Sequence, residues 1–341
     1  MKPPLFFCVA LMAASLAANQ AQADKAEARR KPALRLVDGK EQFEQVALSP
    51  DGKFVAGAGS DGQVRLWDLK TGKLLHRLDE RPRRMHGRCL AFTRDSRTLF
   101  VCSTKDDPLK GKADEVRLCW WDTGTGKATR VLKGDAVPGG WLVQSPDGKC
   151  MATGGHGEKD TDLYLRDVQT AKEKARLGMP KGSWYPAFTL DGKRLLARDD
   201  ADEVWSWDLA TGKGGILMKQ SRRIRVIKEL VPSPDGKRLA FGHNDGVSMI
   251  DLGTGKEVWR VEQYDPHCAG GLAFARDGAW LLVGHGTGVA VLDVAERRRL
   301  FMSHEVSSGM IRSMALSANG KWLATASPKD MQVKLWKLSD W

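Results

Sequence analysis

Short apolar, β-type runs broken by polar turns follow one another along most of the chain. In the first unit the runs Gln45–Ser49, Phe54–Ala58, Val64–Trp67 and Leu74–Leu78 predict four strands, a, b, c and d. Two kinds of turn separate them. Ser49-Pro50-Asp51-Gly52-Lys53 joins a to b, and Thr71-Gly72-Lys73, after Leu66-Trp67-Asp68, joins c to d. Pro presets the backbone angle that such a turn needs, and Gly accepts positive φ.

Both markers recur. The first returns at Thr93–Arg97, Ser145–Lys149, Thr189–Lys193, Ser233–Lys237, Ala275–Ala279 and Ser317–Lys321. The steps between its central Asp or Asn are 44, 52, 44, 44, 42 and 42 residues, and the long one contains an insertion at Lys105–Asp114. The second marker has counterparts at Trp121-Asp122, Arg166-Asp167, Trp207-Asp208, Ile250-Asp251, Leu292-Asp293 and Trp336-Lys337. Strands this short must pack face to face with neighbours, and a closed ring of blades is the natural solution. The spacing therefore predicts an all-β fold, a seven-bladed β-propeller of four-stranded antiparallel blades spanning residues 34–341. The last unit stops at strand c, since only Leu338–Trp341 follow Lys337. An unfinished blade leaves an open edge. The strand-like Leu34-Arg35-Leu36-Val37 is expected to supply the missing strand d, closing the ring by non-covalent pairing.

The pairs Trp67-Asp68, Trp121-Asp122 and Trp207-Asp208, with units of roughly 40–45 residues, resemble the WD-repeat (Trp-Asp repeat) family from Arg35 to Trp341. The form is a divergent one, of a secreted bacterial type. The family's Gly-His pair before strand a is replaced by Asp38-Gly39, and His86, His267 and His304 do not fit its spacing. Most of the family's internal His–Ser–Asp–Trp hydrogen-bond set is therefore missing.

The N-terminus changes the expected location. Lys2, the apolar run Leu5–Ala18 and the small-x-small site Ala21-Gln22-Ala23 read as a secretory signal peptide over residues 1–23. A charged lead, residues 24–33, follows, and the mature chain is expected in the periplasm or outside the cell with no membrane span. Beyond the signal lie Cys89, Cys102, Cys119, Cys150 and Cys268, an odd number with no CxxC. Cys89 and Cys102 face each other across the hairpin that turns at Arg94–Arg97. They either bond in an oxidising compartment or pack as buried thiols, and the sequence leaves both open.

Antiparallel blades put the stereotyped a–b and c–d turns on one face and the b–c and d–a loops on the other. The first face repeats Lys53, Lys149, Lys237 and turn aspartates, and offers little that is specific. The second gathers His86, His156, His243, His267, His285 and His304. His156, His243 and His285 take equivalent places at the ends of strands b. Trp141 and Tyr185 stand at the starts of strand a in blades 3 and 4, with Trp184 beside the latter and Tyr264 further round. Acidic loops (Asp106, Asp107, Glu158, Asp160, Asp162, Asp199, Asp200, Asp202) and basic clusters including Arg83, Arg84, Arg222 and Arg223 flank them. Aromatic anchors ringed by charge suit a specific macromolecular interface.

The net charge of +12 is scattered rather than laid in the stripe that a phosphate backbone needs, so nucleic acid is disfavoured. Gly124-Thr125-Gly126-Lys127 and Gly253-Thr254-Gly255-Lys256 lack the spacing of a phosphate loop. No GxSxG elbow or zinc-protease motif occurs, and no metal or cofactor is implied. The reading is an exported, monomeric, non-catalytic scaffold for a protein or other envelope macromolecule. The alternative is a propeller lyase or hydrolase using the His and acidic residues of the same mouth.

Overall fold

The computed structural model describes residues 31–79, 90–104, 116–133, 141–154, 161–179, 182, 184–219, 227–262, 268–303 and 306–341. These residues form seven four-stranded antiparallel sheets. Blade 1 comprises Phe43–Leu48, Phe54–Gly59, Gln63–Asp68 and Leu74–Asp79, close to the runs expected. Blade 2 begins at Leu90–Phe92, blade 3 at Trp141–Gln144, blade 4 at Trp184–Phe188, blade 5 at Glu229–Pro232, blade 6 at Cys268–Ala275 and blade 7 at Ser313–Leu316. Strand a of each blade touches strand a of the next, and that of blade 7 touches that of blade 1, so the ring is closed.

The burial pattern explains the stacking. Strands b and c are buried almost continuously, as in Phe54–Gly59 and Gln63–Asp68, because both of their faces meet neighbouring blades. Strand d is the rim, and Ala128–Lys133 of blade 2 is almost wholly exposed. Close packing needs small residues opposite large ones. A Cβ on Gly57 would lie 2.9 Å from Trp67 Cζ3, so the glycine makes room for an indole that packs edge-on against Phe43 at 5.6 Å.

Both turn types are built by side-chain hydrogen bonds. At the a–b turn the Ser49 hydroxyl donates to Asp51 Oδ1 (2.7 Å) and accepts from Phe54 N–H (2.8 Å), while Lys53 N–H donates to Asp51. Thr93, Ser145, Thr189, Ser233 and Ser317 repeat the donation, to Asp95, Asp147, Asp191, Asp235 and Asn319. Blade 6 has Ala275 at the hydroxyl position, and its turn becomes a short 3₁₀ segment, Arg276–Gly278, with Asp277 at φ 54°. At the c–d turn Asp68, Asp122 and Asp208 accept from the hydroxyls of Thr71, Thr125 and Thr211, which hold these carboxyls below their usual range.

The closure expected from Leu34 onward is present. Leu34, Arg35 and Leu36 pair antiparallel with Leu335, Lys334 and Val333, so strand d of blade 7 comes from the start of the described chain. The strand is one residue shorter than expected, since it ends before Val37, which is 55% exposed. Leu36 is buried with Phe43, Trp67, Val333 and Leu335 between blades 7 and 1. Burying such a side chain contributes roughly 1.5–3 kcal/mol. The c–d turn of blade 1 seals the outside, since a Cβ on Gly72 would come within 3.3 Å of Leu36.

Asp38 follows this strand and ties it to blade 1. It accepts from Arg65 Nε and Arg77 Nε (both 2.9 Å) and from Arg77 Nη2 (2.7 Å). Arg65 is itself buried, bonded to Asp61 and 5.7 Å over the Phe43 ring. The hydrogen bond from Arg77, then that from Arg65, holds the Asp38 carboxyl at about 2 against an ordinary 3.8, even though burial opposes this. A lowered carboxylate pKa stabilises the fold above the unfolded value and ceases to do so as pH falls through the folded one. Asp38→Asn should therefore cost about 2 kcal/mol at neutral pH and progressively less as pH falls from 3.8 toward about 2, measured by denaturant unfolding. Deleting residues 24–40 should lower the melting temperature more than that substitution does. An unchanged melting temperature for the deletion contradicts closure by this strand.

Candidate functional site

The loops between b and c and between d and a share one face, and its most elaborate described feature lies where blades 3 and 4 meet. Trp141 and Trp184 are the first residues of strand a in these two blades. Trp184 pairs with Arg198 at the end of strand b, and a register shift before Ala187 creates a bulge there. Bulges re-aim side chains. Tyr185 sits in this one with φ 54°, a left-handed conformation that is costly for a bulky residue.

The bulge sends Trp184 and Tyr185 toward the same neighbour. Ring centroids lie 4.2 Å apart for Trp141 and Tyr185 and 6.1 Å for Trp141 and Trp184. Trp141 is buried beneath them, while Trp184 and Tyr185 are half-buried. The Arg198 guanidinium lies 5.3 Å from the Trp184 ring centre and 5.7 Å from that of Tyr185. Such cation–π contacts contribute roughly 0.5–2 kcal/mol each.

The b–c loop locks this group. Arg198 Nη1 donates to Asp202 Oδ1 (2.5 Å), which also accepts from Ile227 N–H at the entry to blade 5 (3.0 Å). Trp184 Nε1 donates to Asp200 (2.5 Å). Asp199 turns inward, accepting from the N–H groups of Ala201 and Glu203 and from Trp205 Nε1. Asp199 and Asp202 are thus buried braces, whereas Asp200 stays exposed.

His243 occupies the place in blade 5 that Asp199 occupies in blade 4, and does the same work. It is completely buried. Its Nδ1 accepts from Asp245 N–H (3.2 Å) and its Nε2 lies 3.0 Å from the Ser248 hydroxyl, which in turn bonds Glu257 (3.1 Å). The serine donates to the carboxylate, so it accepts from the histidine, and the ring is neutral with its proton on Nε2. This histidine is a corner brace inside its blade rather than a contact offered to a partner. His285 is half-buried at the end of strand b in blade 6.

The model of the "WD domain, G-beta repeat" family matches residues 39–68 and 296–337. The second match runs from just before strand d of blade 6 to the end of strand c of blade 7, the phase in which the ring closes. The chain is a seven-bladed β-propeller that carries WD-repeat units at both ends of its ring. Its curated relatives include the "WD repeat-containing protein SL1-17" of Schistosoma mansoni, 28% identical over 42% of this chain and 46% of that one. A "WD repeat-containing protein WDS homolog" of Arabidopsis thaliana is 26% identical over 60% of this chain and 37% of its own length. The "Small ribosomal subunit protein RACK1y" of Oryza sativa subsp. japonica is 38% identical over 19% of this chain and 18% of its own. The chain spans less than half the length of these relatives. WD-repeat propellers are usually non-catalytic scaffolds for protein partners.

Of the residues singled out in the sequence of this propeller, the structure brings Trp141, Trp184 and Tyr185 together. His86, His156, His267, His304, Tyr264, Arg83, Arg84, Arg222, Arg223 and Cys89 lie outside the described residues. Cys102, the other half of the bond weighed with Cys89, is buried in strand b of blade 2. Among the described residues no group of three or more His, Cys, Asp or Glu is placed to hold a metal ion, and no helix is long and apolar enough to cross a membrane. Sequence reasoning missed Arg198. Its signal was available, since the matching positions in the other blades are Ala58, Cys102, Gly154, Gly242, Gly284 and Ala326, all small.

Burial, and next the nearby Arg260 charge, push the His243 pKa below its ordinary 6.5. The unfolded chain then binds more protons than the folded one as pH falls below that value. The contribution is complete above pH 6.5 and is lost through the lowered folded pKa. His243→Gln should flatten the fall of unfolding free energy as pH drops below 6.5. A slope identical to that of the parent protein would show that His243 is not the titrating brace.

Proposed function

We propose that the protein is an exported, non-catalytic scaffold that holds a protein partner on the face of its b–c and d–a loops. Trp184 and Tyr185 are the anchors. One observation carries the reading: a tyrosine kept in a left-handed bulge, half-exposed beside a tryptophan, over a buried indole and under a braced arginine. A fold concentrates strain where a fixed presentation is needed, and rigid aromatic and Arg groups dominate binding energy at interfaces. The reversed arrangement, with the a–b turns as the contact surface, has only repeated Lys53, Lys149 and Lys237 to offer. The apolar run Leu5–Ala18 and the Ala21-Gln22-Ala23 site support export, which makes a periplasmic or extracellular envelope protein the natural partner and a monomer the working unit.

The test is a pull-down of the mature protein from its own cell envelope, followed by affinity measurement with the captured partner. Trp184→Ala with Tyr185→Ala should weaken binding by roughly tenfold or more, with the melting temperature checked in parallel. Lys53→Gln, Lys149→Gln and Lys237→Gln together should leave it unchanged. Loss of binding with the lysine set and retention with the aromatic pair would place the interface on the other face.

A further inference from the structure

Trp280 and Trp322 begin strand b in blades 6 and 7. The other blades have Phe54, Thr98, Cys150, Arg194 and Arg238 at this step, so paired indoles are peculiar to this seam. Together with Gly320, Lys321, Lys337, Leu338 and Ser339 they line a pocket of about 490 Å³. That volume is within the roughly 300–1,000 Å³ typical of small-molecule sites. The pocket opens among the a–b turn and the end of strand c, on the face opposite the Trp184 and Tyr185 cluster.

Its walls are rigid. Trp322 pairs with Lys337 across strands b and c, and Leu338 N–H donates to Lys321 C=O (2.9 Å). Leu338 is buried and fixes the floor. The chemistry is one-sided. Two half-buried indoles and a leucine supply apolar surface, two exposed lysines supply positive charge, and no carboxylate among the described residues lines the pocket. Lys337 Nζ already lies 5.7 Å from the Trp322 ring centre, so the ammonium and the indole address the same space.

We infer that this pocket binds a small aromatic anion, its ring system against Trp280 and Trp322 and its acid group on Lys321 and Lys337. Indole faces take up a planar ring by stacking, and ammonium groups make charge-assisted hydrogen bonds to a carboxylate. A neutral aromatic lacks the second contact, and a small aliphatic acid lacks the first.

Isothermal titration with 2-naphthoate tests this, with 2-naphthalenemethanol and acetate as the two partial ligands. One naphthoate should bind per chain, and each partial ligand roughly tenfold or more weakly. Lys337→Met should reduce naphthoate affinity roughly tenfold in a protein that still unfolds cooperatively, and Trp322→Ala should abolish binding. Because Trp322 also packs against the blade 7–blade 1 core, Lys337→Met and Lys321→Met carry the test if the alanine variant fails to fold. Trp184→Ala with Tyr185→Ala should bind naphthoate normally, which separates this site from the partner face. Equal affinity for naphthoate and naphthalenemethanol, no effect of either lysine substitution, or no saturable binding overturns the assignment.

Discussion

The pairing of Leu34–Leu36 with Val333–Leu335 is the contact on which the other blades depend. Each blade is covered on both faces only because it has a neighbour on each side. With this strand removed, Val333–Leu335 becomes a bare edge, and Phe43 and Trp67 lose the Leu36 side chain they pack with. The damage is not local, because strand a of blade 1 also rests on strand a of blade 7, where Val46 N–H bonds the Ser313 hydroxyl at 3.2 Å. Charge reinforces the apolar closure: the Asp38 carboxylate is held by two arginines from strands c and d of blade 1.

Inside this frame the blades divide their labour by face. On one face, hydroxyl–carboxylate turns absorb the N–H groups that short hairpins leave unpaired, and they do so almost identically around the ring. Such a surface changes little from blade to blade. On the other face nothing repeats so strictly, and the same structural position can hold Asp199 in one blade and His243 in the next while both brace a corner. Freedom in the identity of the brace leaves the adjoining positions open to acquire Trp184, Tyr185 and Arg198. Among the described residues the uniform face departs from its pattern in blades 6 and 7, at the 3₁₀ turn Arg276–Gly278 and at the paired indoles.

Seven blades and the closing strand were legible in the sequence because their markers are local. A Ser-Pro-Asp-Gly turn makes its hydrogen bonds within five residues, so the chemistry is visible in the string itself. Trp141, Trp184 and Tyr185 were also legible, as large aromatics at matched strand starts. Arg198 escaped because its meaning depends on a bulge that turns Tyr185 toward it, and a bulge has no fixed residue pattern. The acidic residues Asp199 and Asp202 read as loop charges in the sequence and proved to be buried acceptors, since their donors come from the turn backbone and from Ile227. The pocket beside Trp322 was hidden by the regularity of the turns around it.

The family match that begins before strand d of blade 6 and ends with strand c of blade 7 shows that repeat and blade are one strand out of phase. The unit matched there therefore contributes to two blades. Loss or duplication of one internal repeat leaves each remaining strand d beside the three strands it completes. The first and last segments still complement each other whatever the number of units between them. The closing pairing therefore does not by itself fix the number of blades.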